Sequence, residues 1–149
     1  MKDRFRLVCA SYLIIRKENK MLLHLRQNSG FMDGYYGFVS GHLDGNESFT
    51  QCMIREAKEE AGIDIQAADL NVIHVANRSE NLNPVPLKER VDVFFEASKW
   101  QGEIKNMEPE KCAGLEWFDV DKLPDNIIPY NKKVLEQIDN KKNYSEIGY

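Results

Sequence analysis

Three carboxylates, Glu56, Glu59 and Glu60, stand at i, i+3 and i+4 in a chain of 149 residues. On a helix that spacing projects all three from one face. Like charges so placed oppose the helix by roughly 0.2–0.5 kcal/mol per pair. Arg55 lies one turn before Glu59 and can hold that side chain in position, whereas Lys58 points elsewhere around the helix. A cation would relieve the remaining repulsion, and an all-oxygen set selects a hard one, Mg2+ or Mn2+. An isolated E-x-x-E-E segment reads more readily as a solvated helix face, but its neighbours change that balance. Gly41 and Gly45 come before it, so a loop carbonyl can approach the carboxylates closely and add a ligand. Glu47 lies just ahead of the helix start, where a carboxylate suits the positive end of the helix dipole.

Gly41, Glu47, Arg55, Glu56, Glu59, Glu60, Gly62 and Ile63 fall in the pattern G-x5-E-x7-R-E-U-x-E-E-x-G-U, where U is a bulky aliphatic. This run of 23 residues resembles the signature of the Nudix (MutT-like) hydrolases. Ala57 departs from the usual aliphatic, a change that concerns helix packing. The likeness extends past the box. Residues 28–36, leading into Val39-Ser40-Gly41-His42, are similar to one group of small bacterial members. Met107-Glu108-Pro109-Glu110-Lys111-Cys112, with Trp117 and Leu123-Pro124, is similar to members that act on nucleoside triphosphates. Pro-Gly-Gly is common in the family where Val39-Ser40-Gly41 stands, so the lead-in loop is a variant.

The resemblance implies hydrolysis of a nucleoside diphosphate linked to another group, with divalent metal. Carried across residue by residue, Glu56, Glu59 and Glu60 become metal ligands, helped by the main-chain carbonyl of Gly41 or Ser40. Arg55 orients Glu59, and Glu47 supports the loop behind the ligands. The metal neutralises phosphate charge and lowers the pKa of a bound water, and a carboxylate takes that water's proton. Glu56 resembles the base of the MutT group, with Glu108 and Glu110 as rivals. Arg26 stands where relatives place a cation on the substrate phosphates, although an exposed strand-end arginine explains it as well. Phe31, Tyr36 and Trp117 are candidates to stack on a base or to fill the core. Subfamily markers of ADP-ribose, diadenosine polyphosphate and NADH hydrolases are missing. By elimination the expected reaction is a nucleoside triphosphate cleaved to monophosphate and pyrophosphate, as in nucleotide-pool sanitation. The alternatives are ADP-ribose, a nucleotide sugar or another organic pyrophosphate, and, less favoured, a Nudix module that binds nucleotide without catalysis.

These residues need a scaffold, and the pattern supplies one. Runs 7–15 and 21–25 are β-type and split by polar residues 17–20, which reads as a hairpin. The first run follows Lys2, Arg4 and Arg6 but reads as a buried strand rather than a leader. Residues 48–61 form the clearest helix, with Ser48 to cap it and Gly62 to end it. Phe49, Cys52, Met53, Ala57 and Ala61 make its core-facing stripe. Strands are expected at 70–76, 91–97 and 115–118, with a polar loop at 77–89 carrying Pro84 and Pro86, and a closing amphipathic helix at 125–138. Strands before, between and after two helices predict an α/β fold. The resemblance makes this the Nudix α/β/α sandwich, with a mixed sheet between helices and one domain across residues 1–149.

Composition fits a globular protein: 42% apolar, 30% charged and net charge −4. Such a surface repels nucleic acid and anionic lipid at long range but does not exclude a small anionic ligand, and the resemblance implies a small nucleotide as the partner. Cys9, Cys52 and Cys112 are odd in number and lack zinc-type spacing, which points to free thiols in the cytoplasm. A monomer or a homodimer is compatible with this pattern.

Overall fold

The computed structural model describes residues 2–80 and 88–149. Strand β1 (Val8–Lys17) turns through Glu18 and Asn19 into β2 (Lys20–Arg26), with Arg16 opposite Met21 and Lys17 opposite Lys20. Glu18 takes the positive φ of 57° that so short a turn demands. Two short strands follow, β3 (Tyr36–Gly37) against β2 and β4 (Val39–His42) against β1.

Helix α1 (Phe49–Ala61) has the expected ends. The Ser48 hydroxyl accepts from the Gln51 N–H while the Gln51 side chain accepts from the Ser48 N–H, a reciprocal cap worth about 1 kcal/mol. At the far end Gly62 is left-handed, with φ 69°, and its N–H returns to the carbonyls of Ala57 and Lys58. The remaining elements are β5 (Leu70–Glu80), β6 (Lys88–Ala97), β7 (Cys112–Asp119), α2 (Pro129–Asp139) and β8 (Tyr144–Ile147).

The strands order as β3-β2-β1-β6-β5-β8, with β4 also paired to β1 and β7 to β2. The β1–β6 and β5–β8 pairs are parallel and the others antiparallel, so the sheet is mixed as expected. Alternation along the central strands divides the core in two. Leu13, Ile15, Val93 and Phe95 turn toward Met53, Ala57 and Ala61 of α1. Tyr12, Ile14 and Phe94 turn the other way, toward Val134 and Leu135 of α2. The architecture is an α/β/α sandwich.

Two expectations are corrected and one strand is added. The closing helix starts at Pro129 rather than 125, because Tyr36 and this segment bond as extended chain: the Tyr36 N–H donates to Asn126 O at 2.8 Å and the Ile128 N–H to Tyr36 O at 2.9 Å. Pro129 then occupies the first helical position, where its missing N–H costs nothing. The second difference is in the loop expected at 77–89. Its two ends belong to the long β5–β6 ladder, which runs to Glu80 opposite Lys88, while Pro84 and Pro86 lie outside the described residues. Strand β8 is the addition, since the sequence pattern assigns nothing after residue 138. It is tied down by buried His74, whose ring nitrogens meet Lys142 O at 3.0 Å and Ser145 Oγ at 2.8 Å.

Candidate metal and phosphate site

The outward face of α1 turns toward β4 and carries Glu56, Glu59 and Glu60. The pairing of β4 with β1, Ser11 opposite Gly41, sets its position relative to the helix. The Ser11 hydroxyl donates to Phe49 O at 2.8 Å, which ties β1 to the helix start. The approach is close: a Cβ added at Gly41 would fall inside the Glu56 carboxyl group. Only glycine leaves room for that side chain.

Arg55 organises the acids. Its Nε and Nη2 donate to the two oxygens of Glu47 at 3.1 and 2.7 Å, a bidentate pair. Its Nη1 donates to Glu56 at 2.8 Å and to Glu59 at 3.3 Å, and Nη2 also reaches His42 O at 3.2 Å. The guanidinium holds the Glu47 carboxyl down to about 2, helped by the Asp44 N–H, and the acids in turn raise the Arg55 pKa. Sequence spacing alone assigned Arg55 to Glu59; the structure adds Glu47 and Glu56 at shorter distances.

Glu60 stands apart from this web. It accepts one hydrogen bond, from the Ser40 N–H at 3.1 Å. Burial, reinforced by the charge of Glu56, pushes its carboxyl up to about 8. Desolvation raises Glu56 as well, against the pull of Arg55. Two carboxyls raised mainly by burial on one ridge call for a cation.

These acids edge a cavity of about 510 Å³. Asp44, Glu56, Glu59, Glu60 and Glu108 supply its negative charge, against Arg26 and Lys111. Arg26, at the end of β2, is fixed by donating from Nε to Phe31 O at 2.8 Å and from Nη2 to Ser29 Oγ at 3.1 Å. Glu108 arrives on a segment docked to the end of α1, where Met107 N–H donates to Glu60 O at 3.1 Å. The Glu108 N–H itself donates to Asn106 Oδ1. Ser40, Gly41 and His42 form one wall, and His24, held down to about 4 by burial and by Arg26, another.

The donor set fits a hard divalent ion, since it is all oxygen and carries excess negative charge. It is not a closed cage: among the described residues no three acid, histidine or cysteine side chains converge at ligating distance. Arg55 meanwhile bridges Glu56 and Glu59.

Two expected contacts do not reach this cavity. Tyr36 donates from its hydroxyl to Glu116 at 3.1 Å and packs edge-on against Phe118, away from the acids. Glu110 contributes its carbonyl to Asn28 Nδ2, and Glu108, two residues earlier, is the acid that lines the cavity. Trp117 packs on the α1 side of the core, and Cys52 and Cys112 are buried free thiols. His24 and His42 line the cavity although imidazole-ligand spacing gave no sign of it; their places on β2, two before Arg26, and on β4, two after Ser40, were the available signal.

Comparison with known proteins gives the family and the fold. The chain belongs to the NUDIX domain family, whose sequence pattern matches residues 6–138. It is 29% identical over 126 residues to the NAD-capped RNA hydrolase NudC of Vibrio atlanticus, covering 85% of this chain and 42% of that protein. It is likewise 29% identical over 106 residues to the 8-oxo-dGTP diphosphatase of Proteus vulgaris, covering 70% and 87%. The chain thus spans about two-fifths of the NudC relatives it matches. In fold it is similar to the crystal structure of a MutT NUDIX hydrolase from Burkholderia pseudomallei, at TM-score 0.78, 24% identity and coverage of 89% and 98%. Among the described residues no helix is long and apolar enough to cross a membrane.

Proposed function

We propose that this protein is a divalent-metal-dependent hydrolase of nucleoside diphosphates linked to another group, cleaving a nucleoside triphosphate to monophosphate and pyrophosphate. One observation carries the reading. A ridge of two desolvated carboxylates and a third exposed one lines a cavity that Arg26 and Lys111 also line. Glu56, Glu59, Glu60 and the Gly41 carbonyl would hold Mg2+, with Mn2+ as a substitute. Bound there, the ion would neutralise phosphate charge and lower the pKa of its water. Arg26 and Lys111, lining the same cavity, would meet the phosphate oxygens. Arg55 keeps Glu56 and Glu59 extended toward the cavity and Glu47 braces Arg55 from behind. Removal of the water's proton falls to Glu56 or Glu108, the two candidate bases that line the cavity.

The NudC likeness favours a second reading, in which the scissile diphosphate joins two nucleosides. Turnover of nucleoside triphosphates, ADP-ribose, nucleotide sugars and NAD, with Mg2+ and then Mn2+, separates them. Phosphate and pyrophosphate must be measured independently. Pyrophosphate released from a triphosphate supports the first reading, and cleavage of NAD alone supports the second. Glu59→Gln and Glu60→Gln are each expected to lower turnover by orders of magnitude without unfolding the protein. Full activity in either one refutes the metal assignment.

A further inference from the structure

Beside the acidic cavity lies a smaller one of about 100 Å³, sharing Arg26, Ser40, Gly41 and His42 with it. Its other walls differ in kind. Tyr12 of β1, Tyr130 at the start of α2 and Phe31 bring three aromatic rings to it, and Arg90 of β6 brings a charge. The Arg90 side chain is 10% exposed, and Asp92, 1% exposed, accepts from its Nε at 3.3 Å. The other Asp92 oxygen accepts from Arg78 Nε at 2.8 Å, and the Arg78 guanidinium lies 3.7 Å from the centre of the Tyr130 ring. Asp92 is thus braced from behind and fixes the plane of Arg90. Contacts among the described residues engage Arg90 at Nε alone, and its nine-tenths-buried side chain lines the cavity.

We propose that Arg90 is a specificity-determining residue that reads the base of the substrate, and that this base is unoxidised guanine. The inference rests on the nucleotide-hydrolase reading above. A guanidinium only donates, and its planar fork matches two acceptors side by side. Guanine presents such a pair, O6 and N7, whereas adenine sets an amino donor beside N7 and pyrimidines offer no equivalent edge. A phosphate also offers paired acceptors, but three aromatic walls suit a flat ring rather than a hydrated anion. Oxidation of guanine at C8 converts N7 into an N–H, which would set donor against donor at the fork. The small cavity adjoins the acidic one across Gly41, so a base held by Arg90 leaves its phosphates beside Arg26.

The test compares the wild type with Arg90→Lys, which keeps the charge and loses the fork. GMP, AMP, 8-oxo-GMP and adenosine 3′,5′-bisphosphate are titrated calorimetrically in chelator, so that binding is read apart from turnover. The KM and kcat of the matching triphosphates are then measured with Mg2+. The wild type is expected to bind GMP about 10–100-fold more tightly than AMP or 8-oxo-GMP, and Arg90→Lys to collapse that ratio, with the change falling on KM. Equal binding of GMP and AMP, a preference that survives in Arg90→Lys, or tighter binding of 8-oxo-GMP overturns the proposal. Tighter binding of the bisphosphate overturns it too, by assigning the fork to a phosphate. If Arg90→Lys does not fold, the wild-type ranking decides alone. An Arg90-dependent GMP preference without hydrolysis of any triphosphate upholds the base reading and refutes the hydrolase reading.

Discussion

Replacing Glu60 with glutamine should make the metal-free protein more stable while abolishing its turnover. In the folded chain burial and Glu56 lift the Glu60 carboxyl from 4.5 to about 8. Between those pH values the folded state therefore holds a proton that the unfolded state has released, and stability falls as pH rises. At pH 7 the deficit is the interval from 4.5 to 7 at 1.36 kcal/mol per pH unit, about 3 kcal/mol. Glu60 keeps some exposure, so that figure is a ceiling. Glutamine cannot ionise, and its side-chain oxygen can still accept from the Ser40 N–H. Unfolding in urea with EDTA, at pH 5, 6, 7 and 8, should show the two proteins nearly equal at pH 5. The variant should lead by about 2–3 kcal/mol at pH 7 and by more at pH 8. Adding Mg2+ at pH 8 should then stabilise the wild type by RT ln(1 + [Mg2+]/Kd) and the variant far less. A variant that is weaker at pH 8, or an offset that ignores pH, would show that Glu60 is not held protonated by its surroundings.

Gly41→Ala should cost about 100-fold in kcat, because its Cβ displaces the Glu56 carboxyl. The clash is with the end of a flexible side chain, so the melting temperature should move by only a few degrees; an active variant would refute the close approach. Arg55→Lys should lose the two-pronged hold on Glu47 and lower kcat by about 10–100-fold, and unchanged pre-steady-state turnover would count against its positioning role. His24 is held down to about 4, so the folded state binds fewer protons than the unfolded one between that pH and 6.5. The resulting stability is present above pH 6.5 and lost as pH falls toward 4, at most about 3 kcal/mol. Denaturant titrations of His24→Gln should lack that acid-side slope, and a slope equal to the wild type's would exclude His24 as its source.

What was legible in the sequence was local. Ser48, Gln51 and Gly62 cap α1 through bonds spanning three to five residues, so its ends could be read directly. Its three acids share a face by helical geometry alone. What failed depends on partners far along the chain. Residues 125–128 carry helix-like periodicity, but Tyr36 recruits Ile127 into a parallel bridge through the backbone of Asn126 and Ile128, across some ninety positions. Strand β8 is short and polar, and it exists because His74 and β5 offer it partners. Tyr36 and Glu110 stood near chemistry in sequence yet line neither cavity, whereas Phe31 and Glu108 do. Arg90 carried no signal, because a charged residue beside a polar loop reads as solvated unless the buried Asp92 is known to lie opposite Ala10.

The placement of the acids explains why glycine, and not merely a small residue, stands at 41. Burial is what raises Glu56 and Glu60, and burial here means β4 pressed against the carboxylate ridge. A side chain at 41 would push the strand or the carboxyl outward, let water in and return both acids toward their ordinary values. The ridge would then be an ordinary solvated helix face, comfortable without a cation and correspondingly poor at holding one. The Arg55–Glu47 pair works in the same direction. It locks two of the acids from behind, where rotation away from Glu60 would otherwise relieve their repulsion. The fold thus maintains an unfavourable charge arrangement that a divalent ion would reverse, and metal affinity should fall with any substitution that makes the metal-free site more comfortable.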